Sequence, residues 1–388
     1  MAERAALPAE VDAVVAGAGI AGAASAWWLA RAGLRVLLLE REPTAAAHAS
    51  GRNAAIARLL AEDEIHRRLA RASIALYREP PPELPLRGAI ARASGSLTLA
   101  SGEALARLRA TVAAAAAEGL PLRWLEPARA AARLPLLDPN TFEAAVWCPE
   151  EAVLDVHAIV EGLLAGARAL GARVCTGTAI EGVELRYGEV YRVVTPRGAV
   201  RTRWLVNAAG AWAGELARLA GAAPMPLRVT KRHLLVTEPL PELDPDWPIA
   251  WDIAREYYLR PESGGLLLSG CDVIDDVPGD AQPDEQAVHA IAARLAASVP
   301  RLAAVGLRRV WAGHRTLTPD DRFVIGPDTE VLGFLWVAGL GGHGMSAGAE
   351  VGRLAASWIT GSAAGDPLAH AMAPGRFGPR AASEGANA

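Results

Sequence analysis

The chain has 388 residues, 52% of them hydrophobic, and a formal net charge of −4. That length buries a substantial core and suits two domains, which can interleave, while the small charge without any basic run speaks against nucleic acid or an anionic membrane as a partner. Three cysteines (Cys148, Cys175, Cys271) lie far apart with no CxxC, which fits a reducing compartment and argues against a cysteine metal cluster.

About ten residues, without an apolar core, precede the first apolar run, so no signal peptide is expected and the location is read as cytoplasmic. Residues 11–40 then read VDAVVAGAGIAGAASAWWLARAGLRVLLLE: an apolar β-run (13–16), a glycine turn (Gly17, Gly19, Gly22), a helix to about 32, and a second β-run (34–39) closing on Glu40. In a dinucleotide fold the first glycine makes the tight turn, and the second lets backbone N–H groups reach a pyrophosphate. The third lets helix and strand approach, and an acid about twenty residues on meets a ribose hydroxyl. The competing reading, a membrane-spanning helix over 13–30, is disfavoured by three glycines and by Asp12 and Arg31 at its flanks.

After Arg41, the AHASGRN stretch suits a turn over a pyrophosphate or flavin edge, or a helix over 53–60 capped by Ser50. Prolines 80–82 and 85 mark a boundary. Strands are expected within 87–99, an alanine-rich helix over 102–119, a helix over 156–170 and a strand over 173–176. A hairpin (182–187, 190–195) leads to an apolar strand and small-residue turn at 204–212. From 224 to 309 the pattern is antiparallel again, with strands at 231–237 and 266–269 and a helix over 285–297. Residues 311–320 return toward the nucleotide, strand 334–338 enters a second GxGxxG (Gly339, Gly341, Gly344), and a helix follows over 346–359. This second glycine turn lacks a following strand and acid, so it reads as a cap on the same cofactor rather than a separate NAD(P) site. The tail past about 379 is expected to be poorly ordered. Lys231 is the only lysine among 39 Lys and Arg residues, which marks either a role arginine cannot fill or a chance survivor.

These segments, in this order, resemble the flavin-dependent D-amino acid oxidase / glycine oxidase / sarcosine oxidase family. The matching stretches are GAGIAGAASAWWLARAGLRVLLLERE, HASGRNAA, LVNAAGAWA, WAGHRTLTPDDRFVIGP and WVAGLGGHGMSAGAEVGRLAA. KRHLLV, DWPIAWDIAREYYLRPESGGLLLSG and WAGHRT look most like its D-arginine dehydrogenase branch. The resemblance implies an α/β plus β architecture: a Rossmann-type FAD-binding domain (1–80, 150–222, 310–365) interleaved with a substrate domain on a mainly antiparallel sheet (85–149, 223–309), and a tail (366–388). It implies FAD held by Gly17, Gly19, Ile20, Ala21, Gly22, Glu40 and Arg41, by His48, Ser50, Arg52, Asn53, Ala54 and Ala55, and by Ala179, Ala209, Gly210 and Trp212. Gly313, Gly341, Gly342, His343, Gly344 and Met345 complete that set.

By the same resemblance, Arg315 grips a substrate carboxylate, with Arg232 and Tyr258 as partners. A guanidinium fork suits the task because it fixes direction as well as charge. Arg58 stands where sarcosine oxidases place a carboxylate-binding arginine, and His343 is a candidate base. Several positions depart from the relatives. Ile56 and Ala61 replace a histidine and a tyrosine of the D-arginine branch, and Ser94 or Gly95 stands where an acid would meet a guanidinium. Gly313 replaces the covalent-flavin cysteine of the sarcosine subgroup, so non-covalent FAD is expected, and Ser346 replaces its lysine. About Leu267 replaces the lysine that activates oxygen, which favours a quinone-type or other acceptor over oxygen.

The implied reaction is oxidation of an amino acid, in the first instance a D-amino acid, by hydride transfer from Cα to flavin N5. Backbone N–H groups of 341–345 would face the flavin, and the resulting imine hydrolyses to a 2-oxo acid and ammonia. A sarcosine- or proline-like secondary amino acid enzyme and a non-catalytic flavin subunit are the alternatives. No metal and no integral membrane segment are expected, and the chain is a monomer or a homo-oligomer.

Overall fold

A computed structural model describes residues 6–378; the segment expected to be disordered past 379 lies outside them. Two large sheets share the chain. Buried four-residue runs, Ala13–Ala16 and Val36–Leu39, are adjacent interior strands of a six-stranded sheet, as runs apolar on both faces should be. Its order is Val324–Pro327, Phe334–Ala338, Trp204–Asn207, Ala13–Ala16, Val36–Leu39, Arg173–Cys175. All pairs are parallel except the first.

The second sheet has nine strands and is antiparallel apart from the pairing of Ile249–Asp252 with Ser96–Ala100. Its longest ladder joins Arg228–Thr237 to Leu307–Leu317. A three-stranded antiparallel sheet (Gly182–Arg186, Glu189–Thr195, Gly198–Arg201) and a small one (Ile56–Ala57, Ala152–Leu154, Ile90–Arg92) complete the β-structure. Of the stretch read as a tail, the helix Pro367–Ala371 packs back on the six-stranded sheet, where the Ile325 N–H donates to the Met372 carbonyl (2.9 Å).

The packing of two helices sets up the site. Gly348 and Gly352 lie one turn apart on the helix Gly344–Thr360 and face Ile20 and Ala24 of the helix Ile20–Arg31. A Cβ at Gly352 would stand 2.4 Å from the Ala24 carbonyl carbon, so only glycine permits this approach. The two helices pack closely, and both helix starts line one cleft.

Two readings that the sequence leaves open are decided by the structure. No helix runs over 53–60. The Asn53 side chain accepts the Ala55 N–H (2.7 Å), Ala55 turns to φ +56°, and the Leu59 and Leu60 N–H groups go to the Glu151 carboxylate (2.7 Å each). Those bonds replace a helical ladder, and the Ser50 hydroxyl serves another helix. Lys231 does not reach the cleft: its Nζ donates to the Gln282 carbonyl at the surface (3.2 Å).

Candidate active site

One end of the cleft, about 440 Å³ in all, is built by the first β-α-β unit. Gly17 adopts φ +99°, and a Cβ there would lie 2.6 Å from the Ala208 carbonyl oxygen. A Cβ at Gly22 would lie 1.8 Å from the Gly17 carbonyl oxygen, so both positions admit only glycine. The Glu40 carboxylate accepts the Ala18 N–H (2.7 Å) and the Glu42 N–H (2.8 Å), and the Ser50 hydroxyl accepts the Ile20 N–H (3.0 Å). The N–H groups of Gly19, Ala21 and Gly22 have no acceptor among the described residues. A helix start with unspent donors, a glycine cradle and a carboxylate at the end of the next strand fit the pyrophosphate and ribose of a dinucleotide. Trp212 closes this end. Its ring centroid is 4.4 Å from the Arg41 Cζ and 4.6 Å from the His48 ring.

The other end draws on the nine-stranded sheet. Arg232 pairs in register with Gly313, so Arg315, two residues on, is its diagonal neighbour on the same face. Arg232 Nε and Nη2 donate to the Asp272 (3.1 Å) and Cys271 (3.3 Å) carbonyls, and Arg315 Nη1 donates to the His314 carbonyl (2.9 Å). Arg232 Nη1 and Arg315 Nη2 are left without a partner among the described residues. Arg315 Nε is buried and unpaired. Burial, and secondarily the Arg232 charge, push Arg315 down to about 10, which still leaves it a cation at neutral pH. Burial raises the Tyr258 phenol, so that group stays protonated.

Gly342, at φ +94°, lies against Arg315; a Cβ there would meet the Nε at 2.8 Å. Next to it, His343 stacks on His66 (4.5 Å, 18°), and its Nδ1 is buried without a partner. Of the five N–H groups from 341 to 345, Gly341 is spent on the Thr316 carbonyl and His343 on the Leu340 carbonyl. Those of Gly342, Gly344 and Met345 remain at the helix start, where partial positive charge accumulates.

A family model described as DAO, FAD dependent oxidoreductase, matches residues 12–358. The chain belongs to this family. Among curated relatives of the DAO chain, it is 30% identical over 254 residues to dimethylglycine dehydrogenase of Mus musculus, covering 61% of this chain and 29% of that protein. It is 26% identical over 372 residues to the mitochondrial pyruvate dehydrogenase phosphatase regulatory subunit of Mus musculus, covering 91% and 42%. The chain therefore spans less than half the length of these two relatives. Among solved structures, L-proline dehydrogenase from P. horikoshii superposes with a TM-score of 0.87 at 25% identity, covering 96% of this chain and 98% of that one. Glycine oxidase from Geobacillus kaustophilus shares the fold, with a TM-score of 0.81 at 23% identity over 95% and 99%.

In this DAO-family chain, Arg58, Arg232, Tyr258, Arg315 and His343 all line this one cleft together. So do Gly17, Gly19, Ile20, Ala21, Glu40, Arg41, His48, Ser50, Asn53, Ala54, Ala55, Ala179, Ala209, Gly210, Trp212, Gly341, Gly342, Gly344 and Met345. Three expected residues stand outside the lining. Gly22 packs behind the turn, Arg52 points away to Asp280, and Gly313 abuts the Arg52 carbonyl, which a Cβ would strike at 2.3 Å. Leu267 lies in an apolar cluster with Tyr258, Leu234 and Val236 rather than on the cleft wall.

Trp251 is a lining residue that sequence reasoning missed. It is opposite Tyr258 in register, with ring centroids 4.3 Å apart. Nothing local marks it, because its place depends on the pairing of Ile249–Asp252 with Tyr257–Glu262.

Proposed function

We propose that the protein oxidises an amino acid at its carbon–nitrogen bond with FAD bound non-covalently in the cleft. One observation carries this reading: two cationic guanidiniums on one sheet face, each with an unspent N–H, beside a helix start that shares the cleft with the dinucleotide turn. FAD, when bound, supplies the two-electron acceptor. Arg232 and Arg315 take the substrate carboxylate, and the protonated Tyr258 phenol donates a further hydrogen bond. Fixing the carboxylate aims the reacting carbon, and burial excludes bulk water from it.

Burial, with the neighbouring His66 and the charges of Arg58, Arg232 and Arg315, holds His343 at about 3. It is therefore a neutral acceptor and not an acid at working pH. The unspent N–H groups of Gly342, Gly344 and Met345 stabilise negative charge that develops next to them. Oxidation gives an imine, and water converts it to a 2-oxo acid and an amine or ammonia.

The resemblance of KRHLLV and WAGHRT favours a D-amino acid. The names of the relatives (dimethylglycine dehydrogenase, L-proline dehydrogenase) favour an N-substituted or cyclic one. A dehydrogenase is preferred over an oxidase because Lys231, the chain's sole lysine, is turned outward and Leu267 is apolar. The test is an anaerobic screen of D-, L- and N-methyl amino acids against the FAD-loaded protein, with reoxidation by oxygen and by a quinone-type dye compared. Bleaching of the flavin band by at least one amino acid, with faster reoxidation by the dye, is expected. A flavin that no amino acid bleaches would favour the non-catalytic reading, in keeping with the regulatory-subunit relative.

A further inference from the structure

The carboxylate clamp leaves one cation of the cleft unused. Arg58 lines the same cleft, and its side chain is 15% exposed. Only its Nη1 is engaged, with long bonds to Glu151 Oε2 and Thr98 Oγ1 (3.3 Å each). Glu151, fully buried, meanwhile accepts the Leu59 and Leu60 N–H groups and the Ser96 hydroxyl (2.6 Å). The guanidinium lies over Trp251, with Cζ 4.7 Å from the ring centroid. The acid, the hydroxyl and the indole together fix the fork, while its Nε and Nη2 have no partner among the described residues. Trp251 also touches Tyr258, so a single aromatic ring separates this fork from the clamp.

Arg58, Arg232 and Arg315 thus all face the cleft, and the one acid bonded to Arg58, Glu151, already accepts three other donors. The carboxylate of a simple amino acid answers Arg232 and Arg315 and leaves Arg58 facing the cavity. Placing an anion there costs little ordering, since the fork is already held. His343 lies within reach of the same charges: burial first, then His66, and then all three arginines oppose its protonation.

We propose that the substrate is an amino dicarboxylate whose second carboxylate is received by Arg58. The proposal rests on the functional reading above and assigns Arg58 as the residue that selects the class. A guanidinium fork matches a carboxylate in geometry as well as charge, so the preference should be for the dianion over its neutral or monoanionic counterpart.

Matched pairs test this on the FAD-loaded protein. Iminodiacetate is compared with sarcosine, and aspartate with alanine in both enantiomers, by anaerobic flavin bleaching. At least one dicarboxylate should exceed its partner in kcat/KM by about tenfold or more. Thiodiacetate and methylthioacetate, which lack the oxidisable nitrogen, are compared by calorimetry, where the dianion should bind about tenfold tighter or better. In Arg58→Met both ratios should fall toward one, and Arg58→Lys should lie between.

Equal or inverted ratios in the wild-type protein would overturn the proposal while leaving amino acid oxidation intact. Absence of bleaching by any compound would remove the functional reading instead, and the calorimetric ratio would still decide whether Arg58 receives a second carboxylate. Should Arg58→Met fail to fold because Glu151 loses its cation, the wild-type ratios and the lysine variant carry the test.

Discussion

Burial and the cations around it bring His343 to about 3, whereas a free imidazole titrates near 6.5. Between those values the unfolded chain binds a proton that the folded one refuses, so stability rises with pH through this window. The contribution is fully present above 6.5 and is lost as the pH falls toward 3. His66, stacked against it, is lowered in the same direction by burial. The melting temperature should therefore drop on acidification below 6.5, and His343→Gln should flatten that dependence. An unchanged slope in the variant would show that the imidazole is not held neutral by its surroundings. At the same scale, Lys231 shows where composition stops: its rarity allowed a special role or chance survival alike, and strand parity turns it to the Gln282 carbonyl while Arg232 beside it enters the cleft.

The close contact of the helices Ile20–Arg31 and Gly344–Thr360 brings their starts, and the unspent N–H groups there, to one ligand. At Gly352 an added methyl meets backbone of Ala24, which cannot yield by a side-chain rotation. Gly352→Ala should cost about 1–3 kcal/mol of stability by overpacking and loosen FAD retention together with it. Thermal melts and the flavin content after gel filtration check both; a stable variant that keeps its flavin would show that helix spacing does not matter. The elements at this level were largely legible, because the 2.0 and 3.6 periodicities and the glycine turns are local signals. The exception is instructive. Ser50, followed by Gly-Arg-Asn, can be read as a helix cap, but Leu59 and Leu60 give their N–H groups to Glu151, about ninety residues away, and no local rule foresees that acceptor.

Across the whole molecule, the β-α-β unit could be read directly, whereas the order of the nine-stranded sheet could not. Its pairings join segments such as Ser96–Ala100 and Ile249–Asp252, and such distant partners leave no mark on either segment. For the same reason the site was legible only in part. The arginines came from motif resemblance, while Trp251, Glu151 and the stacked His66 became visible only once the sheets were assembled. What the assembled sheets achieve is to bring Arg232 and Arg315 onto one face above a cleft that begins at Gly17. Anaerobic bleaching of FAD-loaded Arg315→Ala by the substrate that the screen identifies tests that arrangement most directly. The variant should keep the wild-type flavin spectrum and content yet lose about a hundredfold or more in kcat/KM, as expected when a reacting group is no longer aimed. Bleaching at close to the wild-type rate would contradict it.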